Sequence, residues 1–185
     1  MSKPCQQRVY LSIGSNVERE RHVQAALDAL TQEFGGLLLS RVYESKSLGF
    51  AGDNFYNLAV GFDSNQSVGE LADIMHVIEE DNGRRRNGVK FGPRTLDIDI
   101  LTWGNYNGVI DGIALPRDEI LKNAFVLLPL AEIAGKEKHP ILQQSYQELA
   151  AQFAVKFSTQ LDNGEQKLWA VDFIWQGRQI SSTNE

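Results

Sequence analysis

The chain has 185 residues, 42% of them hydrophobic, with a formal net charge of −6, which fits one soluble domain or one domain with an extension, burying about 70% of its unfolded surface. The acidic balance excludes a general electrostatic pull toward nucleic acid or anionic membranes. The single cysteine, Cys5, excludes an internal disulfide and fits a reducing cytoplasm, while residues 1–7 carry no apolar run of signal-peptide type and no stretch approaches membrane length.

Residues 8–13 read as a buried strand ending at the turn Gly14-Ser15-Asn16. Val23, Leu27, Leu30 and Phe34 then recur at helical spacing until Gly35-Gly36 stops the helix. Residues 37–43 are strand-like, residues 44–54 form a loop with Gly49 and Gly52, and residues 55–62 form another strand. Ser67 and Glu70 make a capping box before a helix that puts Val68, Leu71, Met75 and Ile78 on one face and ends at Asn82-Gly83. A basic loop follows, then a strand carrying Asp97 and Asp99. The order strand, helix, strand, strand, helix, strand is that of the ferredoxin-like α+β fold, an antiparallel sheet with helices packed on it, although other folds share it.

Residues 110–123 read as loop or short helix interrupted by Pro116, and residues 125–134 as a short apolar helix. Further on, Val155, Phe157, Thr159 and Leu161 alternate, Asn163-Gly164 is a hairpin-turn signal, and Trp169, Val171, Phe173 and Trp175 alternate on the return. A C-terminal β-hairpin is predicted there, with residues 176–185 as a frayed tail. The whole is expected to be one domain, residues 8–140 its core and residues 141–185 an extension.

The chemistry concentrates in residues 84–103. Asp97 and Asp99, two apart on a strand, share one face with Cα atoms about 6.5–7 Å apart, while Leu96, Ile98 and Ile100 take the other face. Two carboxylates so close repel each other, and a divalent cation removes that cost. Arg84, Arg85, Arg86, Lys90 and Arg94 stand beside them, with Gly88 and Gly92 allowing close backbone approach to a ligand. The plainer alternatives are surface carboxylates on a half-exposed strand and a solvated loop that offsets an acidic surface. A nucleic-acid patch is disfavoured, because Phe91 is the only interleaved aromatic. Neither a Walker-type phosphate loop nor a Gly-x-Gly-x-x-Gly segment occurs, so a nucleotide site here must be built from side chains and metal. His22, His76 and His139 have no zinc spacing, and His76 reads as a polar-face residue of its helix as readily as a ligand.

With those residues in view, the chain resembles the 6-hydroxymethyl-7,8-dihydropterin pyrophosphokinase family of folate biosynthesis. The motif that carries the resemblance is Gly92-Pro93-Arg94-Thr95-Leu96-Asp97-Ile98-Asp99-Ile100-Leu101. Tyr10-Leu11-Ser12-Ile13-Gly14-Ser15-Asn16, Phe55-Tyr56-Asn57-Leu58-Ala59-Val60 and Phe125-Val126-Leu127-Leu128-Pro129-Leu130 support it. The resemblance implies a ferredoxin-like fold and transfer of the terminal diphosphate of ATP to the pterin hydroxymethyl oxygen, with release of AMP. It further implies two magnesium ions on Asp97 and Asp99, and Arg84 and Arg94 as catalytic partners of the transferred diphosphate. By the same resemblance, His76, Glu79, Arg86, Ile100 and Arg117 join Arg84 and Arg94 around ATP. Leu48, Gly49, Phe55, Asn57, Phe91 and Phe125 would hold the pterin. The expected partners are these two substrates, without nucleic acid or membrane, in a cytoplasmic monomer or weak homodimer.

The chain departs from the family pattern at Arg117 in place of a histidine, at Asp118, at Asn123-Ala124, at Phe91 in place of a tryptophan and at Ser47 in place of a proline. Asp118 would repel a polyphosphate. These departures leave open a divergent paralogue with another acceptor. A non-catalytic module, using a Trp169/Trp175 face as its contact surface, is a third reading.

Overall fold

The computed structural model describes residues 6–47, 52–84, 94–156 and 166–183. β1 (Gln7–Ser15) lies between β4 (Phe55–Ser64) and β5 (Asp97–Trp103), antiparallel to both. On the far side of β4 sit β2 (Leu38–Leu39) and β3 (Tyr43–Ser45). The order β5-β1-β4-β3 is the ferredoxin-like arrangement that the element order predicts. A further strand, β8 (Leu168–Ala170), adds to the outer edge of β3.

The strands bury both faces, and the alternation decides what each face does. Val9, Leu11 and Ile13 of β1, Leu58, Val60 and Phe62 of β4, and Ile98 and Ile100 of β5 enter one apolar cluster. There they meet Val23, Leu27 and Leu30 of α1 (Arg19–Phe34) and Val68, Leu71, Met75 and Ile78 of α2 (Val68–Asp81). The Ser67/Glu70 capping box forms as predicted.

The opposite face carries Tyr10, Ala59 and Leu101, covered by α3 (Ala124–Ala134) and α4 (Tyr146–Lys156). Tyr10 lies across Gly61 of β4, where a Cβ would come within 2.7 Å of the tyrosine ring, so only glycine fits. A register shift between Tyr10 and Leu11 pairs Tyr10 with Thr102 and Leu11 with Ile100, leaving Leu101 as an extra residue that turns into this second core.

Two expectations, for residues 110–123 and for Val155, need correction. Residues 110–123 do not start as loop or helix: β6 (Gly108–Ile110) and β7 (Ile113–Leu115) form a hairpin. Its turn residues Asp111 and Gly112 have φ of 52° and 79°, both left-handed, as the tightest hairpin turns require. Val155 does not begin a strand but lies in the last turn of α4. Tyr146, Leu149 and Phe153 keep helical spacing there, and Ser145 and Glu148 cap the start reciprocally. Asn163-Gly164 lies outside the described residues.

A C-terminal hairpin is present, but at other residues than expected: the alternation from Trp169 to Trp175 is broken into β8, which joins β3, and the first arm of the hairpin. β9 (Phe173–Trp175) pairs with β10 (Arg178–Ser181) around Gln176 and Gly177, at φ of 49° and 73°. The expected frayed tail is therefore partly strand, and Ser181 is buried. Among the described residues no helix is long and apolar enough to cross a membrane.

Candidate active site

The second face of the sheet is only half covered. Where Tyr10, Ala59 and Leu101 give way to Ser12, Gly14, Asn57, Asp97 and Asp99, the helices stop and a cleft of about 330 Å³ opens. Antiparallel register sets Ser12 opposite Asp99 and Gly14 opposite Asp97, so the neighbours of both carboxylates are small. Phe55 and Asn57 of β4 and Ser45 of β3 form one wall; Asn123, Phe125 and Val126, at the start of α3, form another. Arg94, Arg117 and Glu119 line the end above the aspartates.

Asp97 and Asp99 occupy one face and Leu96, Ile98 and Ile100 the other, as the period of a strand requires. Asp97 pairs with Arg84 through one oxygen and with Arg94 through the other. Asp99 pairs with Arg117. Burial opposes the charge on Arg84 and Arg117, but the adjacent carboxylates outweigh it and hold both firmly protonated. The Nε of Arg117 is buried without a hydrogen-bond partner among the described residues, 3.8 Å from a Glu119 oxygen that is equally unpartnered.

Two other features hold this constellation in place. Glu79 is 3% exposed and accepts the Ile98 N–H at 2.7 Å while also pairing with Arg84. Burial pushes its carboxyl pKa up, against the Ile98 hydrogen bond and the Arg84 charge. The turn after β1 anchors the other end of the basic loop: the Arg94 N–H donates to the Asn16 side chain at 2.7 Å, the Asn16 N–H donates to the Arg94 carbonyl at 3.1 Å, and Ser15 donates to the Thr95 carbonyl. Asn16 also donates to the Asp53 carbonyl at 3.3 Å, so one turn ties down two loops.

The sequence-predicted residues are distributed unevenly. Arg94, Asp97, Asp99, Arg117, Phe55, Asn57 and Phe125 line the cleft, and Arg84 joins them through Asp97. The side chain of Asn57 donates to Ser45 at 2.9 Å, which fixes its orientation on the floor. Ile100 is buried on the opposite face, leaving its backbone as the part that could reach a nucleotide. His76 is exposed on α2. Leu48, Gly49, Arg86 and Phe91 lie outside the described residues. Asp118 does not face the cleft; it pairs with Lys122 on the surface, and Glu119 is the acid that lines it.

Ser12, Gly14, Ser45, Lys46 and Glu119 also line the cleft, without having been singled out for it. Ser12 and Gly14 could have been found by extending the alternation of β1 past Tyr10, since small residues replace large ones on that face.

A sequence profile described as 7,8-dihydro-6-hydroxymethylpterin-pyrophosphokinase matches residues 10–135. The chain belongs to this family. A Pseudomonas aeruginosa protein named 2-amino-4-hydroxy-6-hydroxymethyldihydropteridine pyrophosphokinase is 39% identical over 138 residues, 72% of this chain and 85% of that protein. A Bacillus subtilis protein of the same name is 33% identical over 144 residues, 75% of this chain and 86% of that one. Of the longer folate synthesis bifunctional protein of Arabidopsis thaliana, which is 32% identical over 135 residues, the chain spans 28%. Among solved structures, a Plasmodium falciparum HPPK-DHPS superposes with a TM-score of 0.74 at 12% identity, over all of this chain and 48% of the larger one, which speaks for the fold.

No group of three or more histidine, cysteine or acidic residues that could hold a metal ion occurs among the described residues. Two aspartates on one face nevertheless fit magnesium, a hard ion usually bound through one or two carboxylates, with waters and substrate phosphates filling the rest of its octahedron.

Proposed function

We propose that the cleft transfers diphosphate from ATP to the hydroxymethyl group of 6-hydroxymethyl-7,8-dihydropterin, releasing AMP, as a pyrophosphokinase of folate biosynthesis. The observation that carries this reading is the division of one cleft into two chemistries. Asp97 and Asp99 of β5, with their arginines, stand on one side of β1, and Phe55 and Asn57 of β4 on the other, with Phe125 also lining the cleft. The first suits a metal-bound polyphosphate and the second a flat heterocycle with hydrogen-bonding edges.

In the transfer, the pterin hydroxymethyl oxygen forms a bond to the β-phosphorus as the bond from that phosphorus to the α–β bridging oxygen breaks; AMP leaves and the hydroxymethyl proton departs. Asp97 and Asp99 would hold magnesium, two ions on our reading, which when bound would supply positive charge to offset that of the phosphates. Arg84 and Arg94, released from Asp97, would turn to the transferred diphosphate, and Arg117, released from Asp99, to the nucleotide phosphates. These guanidiniums stay charged throughout, so they supply electrostatic stabilisation rather than proton transfer. Phe55 and Phe125 would flank the pterin ring and Asn57 would hydrogen-bond its edge, keeping the hydroxymethyl oxygen in line.

The unbroken sheet, which includes β8, supports reading the chain as one domain, and we place it in the cytoplasm. The surface position of Asp118 removes the strongest motive for another acceptor. Trp175 donates to Asp28 of α1 at 2.8 Å and packs against the core, so that ring is engaged within the chain rather than held out for a partner. Incubation with ATP and magnesium, with and without the hydroxymethyl pterin, tests the proposal. AMP formed only with the pterin is the expected result; ADP formation, or AMP formed without the pterin, would overturn it.

A further inference from the structure

The family profile ends at residue 135, yet the chain beyond it returns to the cleft. Gln166 accepts the Ala124 N–H through Oε1 at 2.8 Å and donates from Nε2 to the Lys122 carbonyl at 3.0 Å. It thereby brackets Asn123 and grips the residue immediately before Phe125. Two residues later, Leu168 pairs with Ser45 on β3, whose hydroxyl receives the Asn57 side chain. Two residues of the C-terminal segment, Gln166 and Leu168, thus touch both walls of the half of the cleft assigned to the pterin.

The start of α3 needs such a hold. The first amide of a helix has no internal partner, and a side chain at the N-cap ordinarily helps to satisfy that turn. The N-cap here, Asn123, makes no side-chain capping hydrogen bond, and the first turn carries no acidic residue. Pro129, inside the helix, lacks the N–H that would bond the Phe125 carbonyl one turn back. The far half of α3 is fixed by Glu132, which accepts from the Arg41 backbone and guanidinium, both at 2.9 Å, and from Tyr43. The cleft-facing first turn has no comparable anchor within its own helix, and Gln166 supplies one from outside.

We infer that Gln166 is a positioning residue for pterin binding: from the C-terminal extension it caps α3 and sets Phe125 and Asn123 against Asn57. This rests on the assignment of Phe125 to the pterin wall, so the test carries its own control. KM values for pterin and ATP and the nucleotide affinity by calorimetry are to be compared among the full-length wild type, Gln166→Ala, Gln166→Glu and Phe125→Ala. Loss of a cap of this kind should raise the pterin KM of Gln166→Ala roughly fivefold and leave nucleotide affinity within about twofold. Gln166→Glu keeps the acceptor for Ala124 and loses the donor to Lys122, so it should recover most of the loss. If Phe125→Ala raises the pterin KM and neither Gln166 variant does, the positioning role is wrong. Equal losses for both substrates would reduce Gln166 to a general structural contact and also overturn it. An unchanged pterin KM in Phe125→Ala would instead bring down the wall assignment, and the inference with it.

Discussion

Two arginine–carboxylate clusters lie on the α3 side of the sheet, built from the same chemistry and put to opposite uses. At Glu132 a single carboxylate is saturated by the Arg41 backbone and guanidinium and by the Tyr43 hydroxyl, across a packed contact between α3 and β3. At Asp97 and Asp99, three arginines and two aspartates stand over small residues at the mouth of a cleft. Glu132 joins two elements that already touch. The aspartates join nothing that needs joining, and their partners come from loops and turns that could release them. An ion-pair cluster is thus no mark of a site by itself; what distinguishes the second is open volume beside it and acids that can exchange one cation for another.

That contrast can be broken by mutation. Asp97→Ala or Asp99→Ala should lower transfer by at least about 100-fold, the scale of several kcal/mol of metal-borne charge stabilisation, while pterin affinity stays near wild type. Glu132→Gln should do the reverse, keeping transfer close to normal and costing about 1–2 kcal/mol, a fall of a few degrees in Tm. AMP release assays and thermal melts on the three proteins decide it, and a dead Glu132→Gln enzyme would erase the distinction.

Arg117→Ala sharpens the same point. It frees Asp99, so manganese binding without nucleotide, followed by electron paramagnetic resonance, should tighten about threefold to tenfold. Nucleotide affinity should meanwhile fall about tenfold or more with the loss of a charged donor. If both affinities drop together, Arg117 is an ordinary structural ion pair.

A smaller effect concerns the helical layer that carries Glu132. His139 is 2% exposed, its Nδ1 accepts the Ile141 and Leu142 N–H groups at 3.3 Å each, and burial lowers its pKa. A depressed histidine pKa means that the unfolded chain takes up the proton first. This contribution is therefore present above about pH 6.5 and lost as pH falls through the folded value, by at most about 1.4 kcal/mol per pH unit. Melts between pH 7 and 5 should show a shallower fall for His139→Asn, which keeps an acceptor without the titration.

The smallest change is expected at Gln176, whose φ of 49° is one that asparagine tolerates better than glutamine. Gln176→Asn should raise Tm by about 1–2 °C with transfer unchanged; a loss of activity would tie that hairpin to the cleft.

Much of this was readable from residues alone. The period-two pattern around Asp97 set the carboxylates on one face, and the Ser67/Glu70 pair and the spacing from Val23 to Leu30 marked two helices, because each signal lies within one element. The same logic applied further on would have shown more. Asp111-Gly112 is a strong hairpin signal, masked by the neighbouring Pro116, and Ser145/Glu148 is a second capping box, obscured by the alternation that begins at Val155. The left-handed Gln176 left no such mark, since glutamine seldom adopts that conformation.

The sequence by itself determined the order of strands and helices up to β5, apart from the split of the strand expected at residues 37–43 into β2 and β3, the family, and the pairing of two aspartates with a basic loop, because local periodicity and contiguous motifs need no long-range information. Only the tertiary structure decided that α3 stops short and leaves a cleft lined by Ser12, Gly14 and Asn57, that Asp118 turns away while Glu119 turns in, and that Gln166 comes back to cap Ala124. Each depends on contacts between residues tens of positions apart, where register and helix placement, not pattern, choose the neighbours.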